Sequence, residues 1–234
     1  MIRKLLALAG ATVLSACTYL GSSVAAEKAV KLPLPATDMP AASQGARATA
    51  VFAGGCFWGV QAVFQHTAGV LNAVSGYAGG EKDTANYQAI GSGRTGHAES
   101  VQVTYDPKVV SYGKLLQIYF SVAHDPTQLN RQGPDHGTQY RSAVFYKDAN
   151  QKQVTEGYVA QLDAAKVYPA KIVTQITPLT AFYPAEGYHQ DYATLNPTSP
   201  YIAMFDLPKI ANLKTVMPEV FREKPALVSA QGKG

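Results

Sequence analysis

The residues best suited to chemistry in this chain surround one cysteine, in the run Gly54-Gly55-Cys56-Phe57-Trp58-Gly59. The glycine pair lets another molecule approach the backbone, and Val60, Val63 and Phe64 at helical spacing place Cys56 at a helix N-terminus. Free N–H groups at such an end stabilise a thiolate, and they bring a thiol pKa from about 8.5 to about 3.5–7.5. The sequence therefore predicts a nucleophilic thiol with a lowered pKa. The alternative is a buried, inert cysteine.

A second candidate group is a carboxyl at the start of the alternating run Glu99-Ser100-Val101-Gln102-Val103-Thr104-Tyr105. Because side chains alternate across a strand, Glu99 shares a face with Val101 and Val103 and points toward the core. Burial raises the pKa of a carboxyl, so Glu99 would hold a proton that it can donate at neutral pH. The alternative is an ionised carboxylate at a strand end, paired with an arginine such as Arg94.

These groups are positioned by strands and helices that the apolar periodicity predicts in alternation. The predicted strands are residues 48–53, 70–77, 99–105, 139–146 and 171–177. The predicted helices are residues 56–66, residues 112–122 and a third through Val154, Tyr158 and Leu162. This order predicts an α+β fold, a two-layer sandwich in which helices cover a mixed β-sheet with a ferredoxin-like core.

The first residues predict export from a bacterial cytoplasm. Two basic residues precede an apolar run, residues 5–14, which is too short to span a bilayer and is typical of a signal peptide. It ends in a match to the bacterial lipoprotein box, Leu14-Ser15-Ala16-Cys17. We therefore expect lipidation of Cys17 and a periplasm-facing protein, with Thr18 favouring the outer membrane. The alternative is an ordinary signal peptide cleaved near Ala16.

Composition sets the expected domain boundaries. Small and polar residues without an apolar period predict a lipid anchor and flexible tether over residues 17–47 and a flexible tail over residues 223–234. The intervening residues 48–222 form one predicted domain, which follows the signal peptide of residues 1–16 and the tether.

Charge and ligand spacing exclude two classes of partner. The formal charge of +4 is small and the basic residues are scattered, so no nucleic-acid partner is expected. The five histidines show no closely spaced pair and the chain has two cysteines, so no metal is expected either.

Four blocks of sequence resemble the A-type peptide-methionine sulfoxide reductases, in the order of that family and across about residues 48–222. They are Gly55-Cys56-Phe57-Trp58-Gly59, Gly93-Arg94-Thr95-Gly96-His97-Ala98-Glu99, Asp135-His136-Gly137-Thr138-Gln139-Tyr140-Arg141-Ser142 and Tyr188-His189-Gln190-Asp191-Tyr192. The resemblance implies reduction of the S epimer of methionine sulfoxide, free or in oxidised proteins. It also implies that Cys56 is the nucleophile and becomes a sulfenic acid.

The same resemblance implies roles for the residues around the substrate. Phe57 and Trp58 match an apolar wall that holds the S-methyl group. The donors to the sulfoxide oxygen match Tyr87, Tyr140 and Glu99, with Glu99 as the acid, and a supporting residue of the pocket matches Asp135. A sulfoxide pairs a small methyl with a polarised oxygen, so an aromatic wall beside converging donors suits it.

Many members of the family carry recycling cysteines near the C-terminus, whereas this sequence has none after Cys56. The expected reductant is therefore an external thiol, either a thioredoxin-like protein or a small thiol, with no other cofactor. Two alternatives remain open on the sequence: a thiol peroxidase that uses one cysteine, and a lipid-anchored binding module without turnover.

Overall fold

The computed structural model of the chain describes residues 28–40 and 47–230. The predicted signal peptide and Cys17 lie outside these residues, so both stay predictions. Within the described ranges, no helix combines the length and the apolar character that crossing a bilayer requires.

The strands are β1 (Ala48–Gly54), β2 (Val70–Ala78), β3 (Ala98–Tyr105), β4 (Arg131–Gln132), β5 (Asp135–His136), β6 (Ser142–Tyr146), β7 (Gln175–Pro178) and β8 (Phe182–Pro184). The α-helices are α1 (Phe57–Gln65), α2 (Tyr87–Ile90), α3 (Tyr112–Ile118), α4 (Ala149–Ala164), α5 (Tyr192–Leu195) and α6 (Leu207–Val216). A π-helical turn continues α3 through Tyr119–Ala123, and another, Ile202–Asp206, leads into α6.

Six strands form the main sheet in the order β7-β6-β1-β3-β2-β8, while β4 and β5 form a separate short hairpin. Neighbouring strands run antiparallel except β6 and β7, which are parallel. The four strands β6-β1-β3-β2, with α1 after β1 and α3 after β3, make a ferredoxin-like core. The predicted α+β fold with a mixed sheet and helices is confirmed.

The two faces of the sheet bury different side chains because residues alternate along each strand. Phe52 of β1 belongs to the large core under the helices, where its ring stacks on Phe64 at 5.1 Å and on Tyr119 at 5.0 Å between centroids. Its neighbours Val51 and Ala53 face a smaller cluster on the opposite side. The large core therefore fixes β1 and α1 against each other, on either side of Cys56.

Two predicted strands are shorter than the pattern suggested. The strand predicted over residues 139–146 begins at Ser142, because Thr138–Tyr140 form a 3-10 turn in which the N–H of Tyr140 donates to Gly137 O at 3.0 Å. The strand predicted over residues 171–177 is Gln175–Pro178. Its expected first half leaves the sheet, since Val173 N donates to Pro126 O at 2.9 Å.

Residues 28–40 lie against the domain, so the predicted flexible tether over residues 17–47 is wrong for this segment. Leu32 and Met39 are buried in the main core. Gln117 Nε2 donates to Leu32 O at 2.6 Å, and Tyr158 Oη donates to Pro33 O at 2.6 Å. Single apolar residues dock here without a repeating pattern, and periodicity therefore did not reveal them. The rest of the tether stays a prediction.

The predicted flexible tail, residues 223–234, is also held in part. Ala226 N donates to Gln65 O at 2.9 Å, and the N–H groups of Val228 and Ser229 donate to the carboxylate of Asp191. Backbone donors make these contacts, and side-chain composition carries no signal for them.

Candidate active site

Cys56 lies between β1 and α1, at the N-cap position of the helix, as predicted. The turn before it needs glycine: Gly55 has φ of +88°, and a Cβ there would lie 2.5 Å from the Cβ of Gln132. The β4–β5 hairpin, which contains Gln132, therefore packs directly on the turn. The Cys56 side chain is buried, with the residue 8% exposed.

The Cys56 thiol does not have the lowered pKa that its helix position predicted. Burial raises its pKa well above the usual range, and the nearby carboxyls of Glu99, Asp206 and Asp135 raise it further. The backbone N–H of Trp58 acts in the opposite direction but does not compensate. In the substrate-free protein Cys56 therefore keeps its proton at neutral pH, and the prediction of a resting thiolate is wrong.

Glu99 lies at the start of β3 and faces α1, as the alternation predicted. It is 2% exposed, and its Oε2 accepts the backbone N–H of Phe57 at 3.0 Å. Burial raises the pKa of Glu99 to about 8, with the Phe57 N–H opposing the shift and Asp135 and Asp206 adding to it. The alternative pairing with Arg94 is absent among the described residues, where Arg94 is exposed. Glu99 is thus a protonated carboxyl beside Cys56 at neutral pH.

Phe57 and Trp58 open the helix and form an aromatic group at its N-terminus. Phe57 is buried, whereas Trp58 is half-buried. The indole of Trp58 stacks on Tyr192, with ring centroids 4.0 Å apart, and meets the edge of Tyr201 at 6.1 Å. Its Nε1 donates to Nδ1 of His189 at 3.3 Å. The aromatic wall is therefore held from three sides.

The structure brings Tyr87 and Tyr140 close enough to this centre for its charges to act on both. Burial raises the pKa of each hydroxyl, and the charges of Glu99 and Cys56 add to the shift in both cases. Tyr87 begins α2 and Tyr140 ends the 3-10 turn before β6, so they arrive from different loops. Both hydroxyls stay protonated and are available as hydrogen-bond donors.

Asp135 lies in β5 and accepts a short hydrogen bond from the hydroxyl of Tyr201. Burial raises the pKa of Asp135, although the Tyr201 hydroxyl and Lys209 oppose that shift. Because Tyr201 also meets the edge of Trp58, Asp135 is connected to the aromatic wall through one side chain. This placement suits the supporting role predicted for Asp135.

Sequence reasoning missed a buried ion pair behind the cysteine. Lys209 Nζ lies 3.6 Å from Asp206 Oδ1, and the side chains are 6% and 0% exposed. Asp206 packs under the first turn of α1, where a Cβ on Gly59 would lie 2.2 Å from Asp206 Oδ1. The spacing of three residues between Asp206 and Lys209 was visible, but that spacing is usual for exposed pairs on helices.

The arrangement as a whole is that of a thiol oxidoreductase. A cysteine and a protonated carboxyl share a helix N-terminus, an aromatic wall stands beside them, and two tyrosine hydroxyls approach from separate loops. Such a site suits a substrate that pairs a small apolar group with a polarised oxygen.

Comparison with known proteins agrees with this class. The family model described as peptide methionine sulfoxide reductase matches residues 48–220. A curated peptide methionine sulfoxide reductase of Mesorhizobium japonicum is 66% identical over 180 residues, which cover 77% of this chain and 92% of the relative. One from a Synechocystis species is 50% identical over 185 residues, covering 78% and 86%.

Solved structures of similar sequence give the same result. Methionine sulfoxide reductase A of Corynebacterium diphtheriae is 36% identical, has a TM-score of 0.57 and covers 76% of this chain and 91% of its own. Mxr1 from Saccharomyces cerevisiae in reduced form is 35% identical with a TM-score of 0.59, covering 65% and 87%. The chain belongs to the peptide methionine sulfoxide reductase family, and its activity is the reduction of methionine sulfoxide.

Proposed function

We propose that Cys56 is the nucleophile of this reduction and that Glu99 is the acid that protonates the sulfoxide oxygen. The observation that carries the proposal is the position of Glu99: its carboxyl binds the N–H of Phe57, the residue after Cys56, and holds a proton at neutral pH. Protonation makes the sulfoxide sulfur electrophilic toward a thiol.

The step balances without a further reagent. The Cys56 sulfur loses two electrons and gains the oxygen, giving a sulfenic acid, while the substrate sulfur gains two electrons and becomes a thioether. Glu99 gives its proton to the sulfoxide oxygen, and the thiol proton of Cys56 replaces it. Since both groups start protonated, the reaction changes no net charge in the buried site.

The remaining residues select the substrate. Phe57 and Trp58 hold the S-methyl group, the hydroxyls of Tyr87 and Tyr140 donate to the sulfoxide oxygen, and Asp135 supports the wall through Tyr201. With the methyl on one side and the oxygen on the other, the orientation of the third substituent fixes the chirality at sulfur. We propose that the site accepts the S epimer, in free methionine and in oxidised proteins.

Trapping of the intermediate tests this mechanism. The full chain carrying Cys17→Ala has Cys56 as its one thiol. Treated with excess methionine sulfoxide and dimedone, it should give a single adduct at Cys56 in peptide mass mapping, and prior addition of dithiothreitol should prevent it. Release of methionine without an adduct would contradict the sulfenic acid, unless disulfide-linked dimers show that a second Cys56 had resolved it.

We propose an external thiol as the reductant, because a sulfenic acid needs a thiol within reach and the sequence holds no cysteine after Cys56. A thioredoxin-like protein and a small thiol are the two candidates. Steady-state turnover with each, over a range of concentrations, distinguishes them. If neither the thioredoxin-like protein nor the small thiol sustains turnover, the proposal is overturned.

We also propose that the chain is a periplasm-facing lipoprotein of the bacterial envelope, anchored through Cys17 to the outer membrane. The support is the Leu14-Ser15-Ala16-Cys17 match. Cys17→Ala should release the protein from membrane fractions and abolish labelling by a fatty acid while leaving its reductase activity intact. Absence of label in the unmodified chain would remove the anchor from the proposal.

A further inference from the structure

Residues 186–191 form a segment that is fastened to both β2 and α1. The side-chain amide of Gln190 pairs with the backbone of Ser75 in β2, as the backbone of an adjacent strand would. Its Oε1 accepts from Ser75 N at 2.9 Å and its Nε2 donates to Ser75 O at 2.9 Å. Gln61 of α1 donates to the same Oε1 at 2.8 Å and accepts from Asp191 N at 2.9 Å. The segment therefore has a fixed position relative to the helix that begins at Cys56.

One end of the segment holds Tyr87. Glu186 accepts the backbone N–H of Tyr87 on Oε1 at 3.0 Å and the hydroxyl of Tyr77 on Oε2 at 2.8 Å. Burial works to raise the pKa of Glu186, but hydrogen bonds from Tyr87 N, its own N–H and Tyr77 outweigh it, and the pKa lies below its usual range. Glu186 is thus a fixed carboxylate that binds the start of α2.

Other contacts of the segment hold Trp58. His189 is 1% exposed, and its Nδ1 accepts the indole N–H of Trp58 at 3.3 Å. Burial lowers the pKa of His189, so the ring is neutral. Because Nδ1 accepts the indole N–H, the single ring proton lies on Nε2. The imidazole lies 4.5 Å from the Tyr87 ring and 5.1 Å from the Phe57 ring, between centroids. It stands between the aromatic wall and a donor to the oxygen.

We propose that Glu186 and His189 are positioning residues that fix the separation between Tyr87 and the indole of Trp58, and that this separation makes the site selective for an S-methyl group. The inference rests on the proposed roles of Tyr87 and Trp58. A sulfoxide carries its methyl group and its oxygen on the same sulfur. The distance between the Trp58 indole, which contacts the methyl group, and the Tyr87 hydroxyl, which donates to the oxygen, must therefore match the size of that group. A wall held at that distance excludes a larger alkyl group, and one methylene is worth about 10–200-fold in a fitted apolar pocket.

The chain offers a matched pair of variants at His189. Asn places its Oδ1 close to the position of Nδ1 and can accept the indole N–H, whereas Leu has nearly the same shape and cannot. We expect His189→Leu to lower the ratio of kcat/KM for methionine S-sulfoxide over ethionine S-sulfoxide by about 10-fold, the lower end of the range for one methylene. His189→Asn should restore most of the ratio. The lost selectivity should appear mainly as a smaller difference in KM between methionine S-sulfoxide and ethionine S-sulfoxide.

Trp58 provides a readout that does not depend on turnover, because it is the single tryptophan of the chain. The emission of the indole should shift in His189→Leu and remain near that of the unmodified protein in His189→Asn. In a double-mutant cycle, Trp58→Phe removes the N–H that His189 accepts, so adding His189→Leu to it should change the substrate ratio little further.

Failure of this inference is distinguishable from failure of the proposed mechanism. If Cys56→Ser retains turnover, the mechanism is wrong, whatever the substrate ratios show. If His189→Leu folds and leaves both the methyl-to-ethyl ratio and the Trp58 emission unchanged, the positioning role is overturned. Should that variant not fold, Glu186→Gln decides the question, since it is expected to lower the same ratio and an unchanged ratio would exclude the role.

Discussion

Two buried carboxyls lie near opposite ends of α1 and differ in how many hydrogen bonds reach them. Near Cys56, Glu99 is 2% exposed, and one hydrogen bond, from Phe57 N, opposes the effect of burial on its pKa. Near Gln65, Asp191 is 1% exposed, but Gln65 Nε2, Val228 N and Ser229 N donate to it at 2.7, 3.0 and 2.9 Å.

The pKa values of the two carboxyls are shifted in opposite directions. Burial raises the pKa of Glu99 to about 8, so it stays neutral. Burial works to raise the pKa of Asp191 too, but hydrogen bonds from Ser229, Val228 and Gln65 outweigh it and the pKa falls below its usual range. Asp191 is thus a structural charge because more donors reach it and burial weighs on it less, whereas deeper burial and the nearby carboxyls of Asp135 and Asp206 keep the proton on Glu99.

The comparison is tested most strongly by Glu99→Gln. Gln keeps the shape and can accept the Phe57 N–H, but it has no acidic proton, so we expect the sulfoxide step to slow by about 10²–10⁴-fold, the usual weight of a general acid. Single-turnover kinetics at neutral pH measure this step apart from recycling, and substrate affinity should change less. A chemical rate equal to that of the unmodified protein would remove Glu99 from the mechanism.

Asp191→Asn should have the converse effect. Asp191 has φ of +59°, a conformation that Asn tolerates, so the change isolates the carboxylate. An amide NH2 then faces backbone donors, and we expect the free energy of unfolding to fall by about 1–3 kcal/mol. Denaturant unfolding measures this loss. The single-turnover rate should stay close to that of the unmodified protein, and a loss of rate comparable to that of Glu99→Gln would break the distinction between the two sites.

The two carboxyls should also give stability opposite pH dependence. Folding raises the pKa of Glu99, so ionising it costs more in the folded protein, and its contribution is lost as pH rises toward about 8. Folding lowers the pKa of Asp191, so its contribution is present above the unfolded pKa and is lost as pH falls through the folded one.

Unfolding free energies of the protein and both variants between pH 3 and pH 8 measure these slopes. The stability of Glu99→Gln relative to the unmodified protein should increase from pH 5 to pH 8. The deficit of Asp191→Asn should shrink from pH 5 to pH 3. Parallel curves for all three proteins would show that neither carboxyl has a shifted pKa.

Local sequence predicted the elements around the site and the groups on them. Helical spacing after Cys56 placed it at the start of α1, and strict alternation placed Glu99 on the inner face of β3. Both rest on patterns within one element, which periodicity reports directly. The resemblance to the family placed Tyr87 and Tyr140 near the same centre.

The properties that local sequence did not predict depend on distant segments. The raised pKa of Cys56 comes from burial and from carboxyls on β3, on the β4–β5 hairpin and before α6, which no pattern around residue 56 reports. The docking of residues 28–40 and of the C-terminal tail depends on the isolated buried side chains of Leu32 and Met39 and on hydrogen bonds to backbone groups. Such bonds are made by every residue type, so composition could not separate a docked segment from a flexible one.

The smallest expected effect is that of Ser229→Ala, which removes a side chain that helps to lower the Asp191 pKa and keeps the backbone donor of the same residue. The Ser229 hydroxyl adds to the lowering of the Asp191 pKa, while its backbone N–H donates to Oδ2 at 2.9 Å and is retained by Ala. Because Ser229 is exposed, we expect a loss of at most about 0.5 kcal/mol in the free energy of unfolding. In the Asp191→Asn background the same change should cost less, because part of the interaction is already lost. Denaturant unfolding of the four proteins in this cycle measures the coupling, and fully additive losses would mean that the hydroxyl stabilises the tail without acting on Asp191.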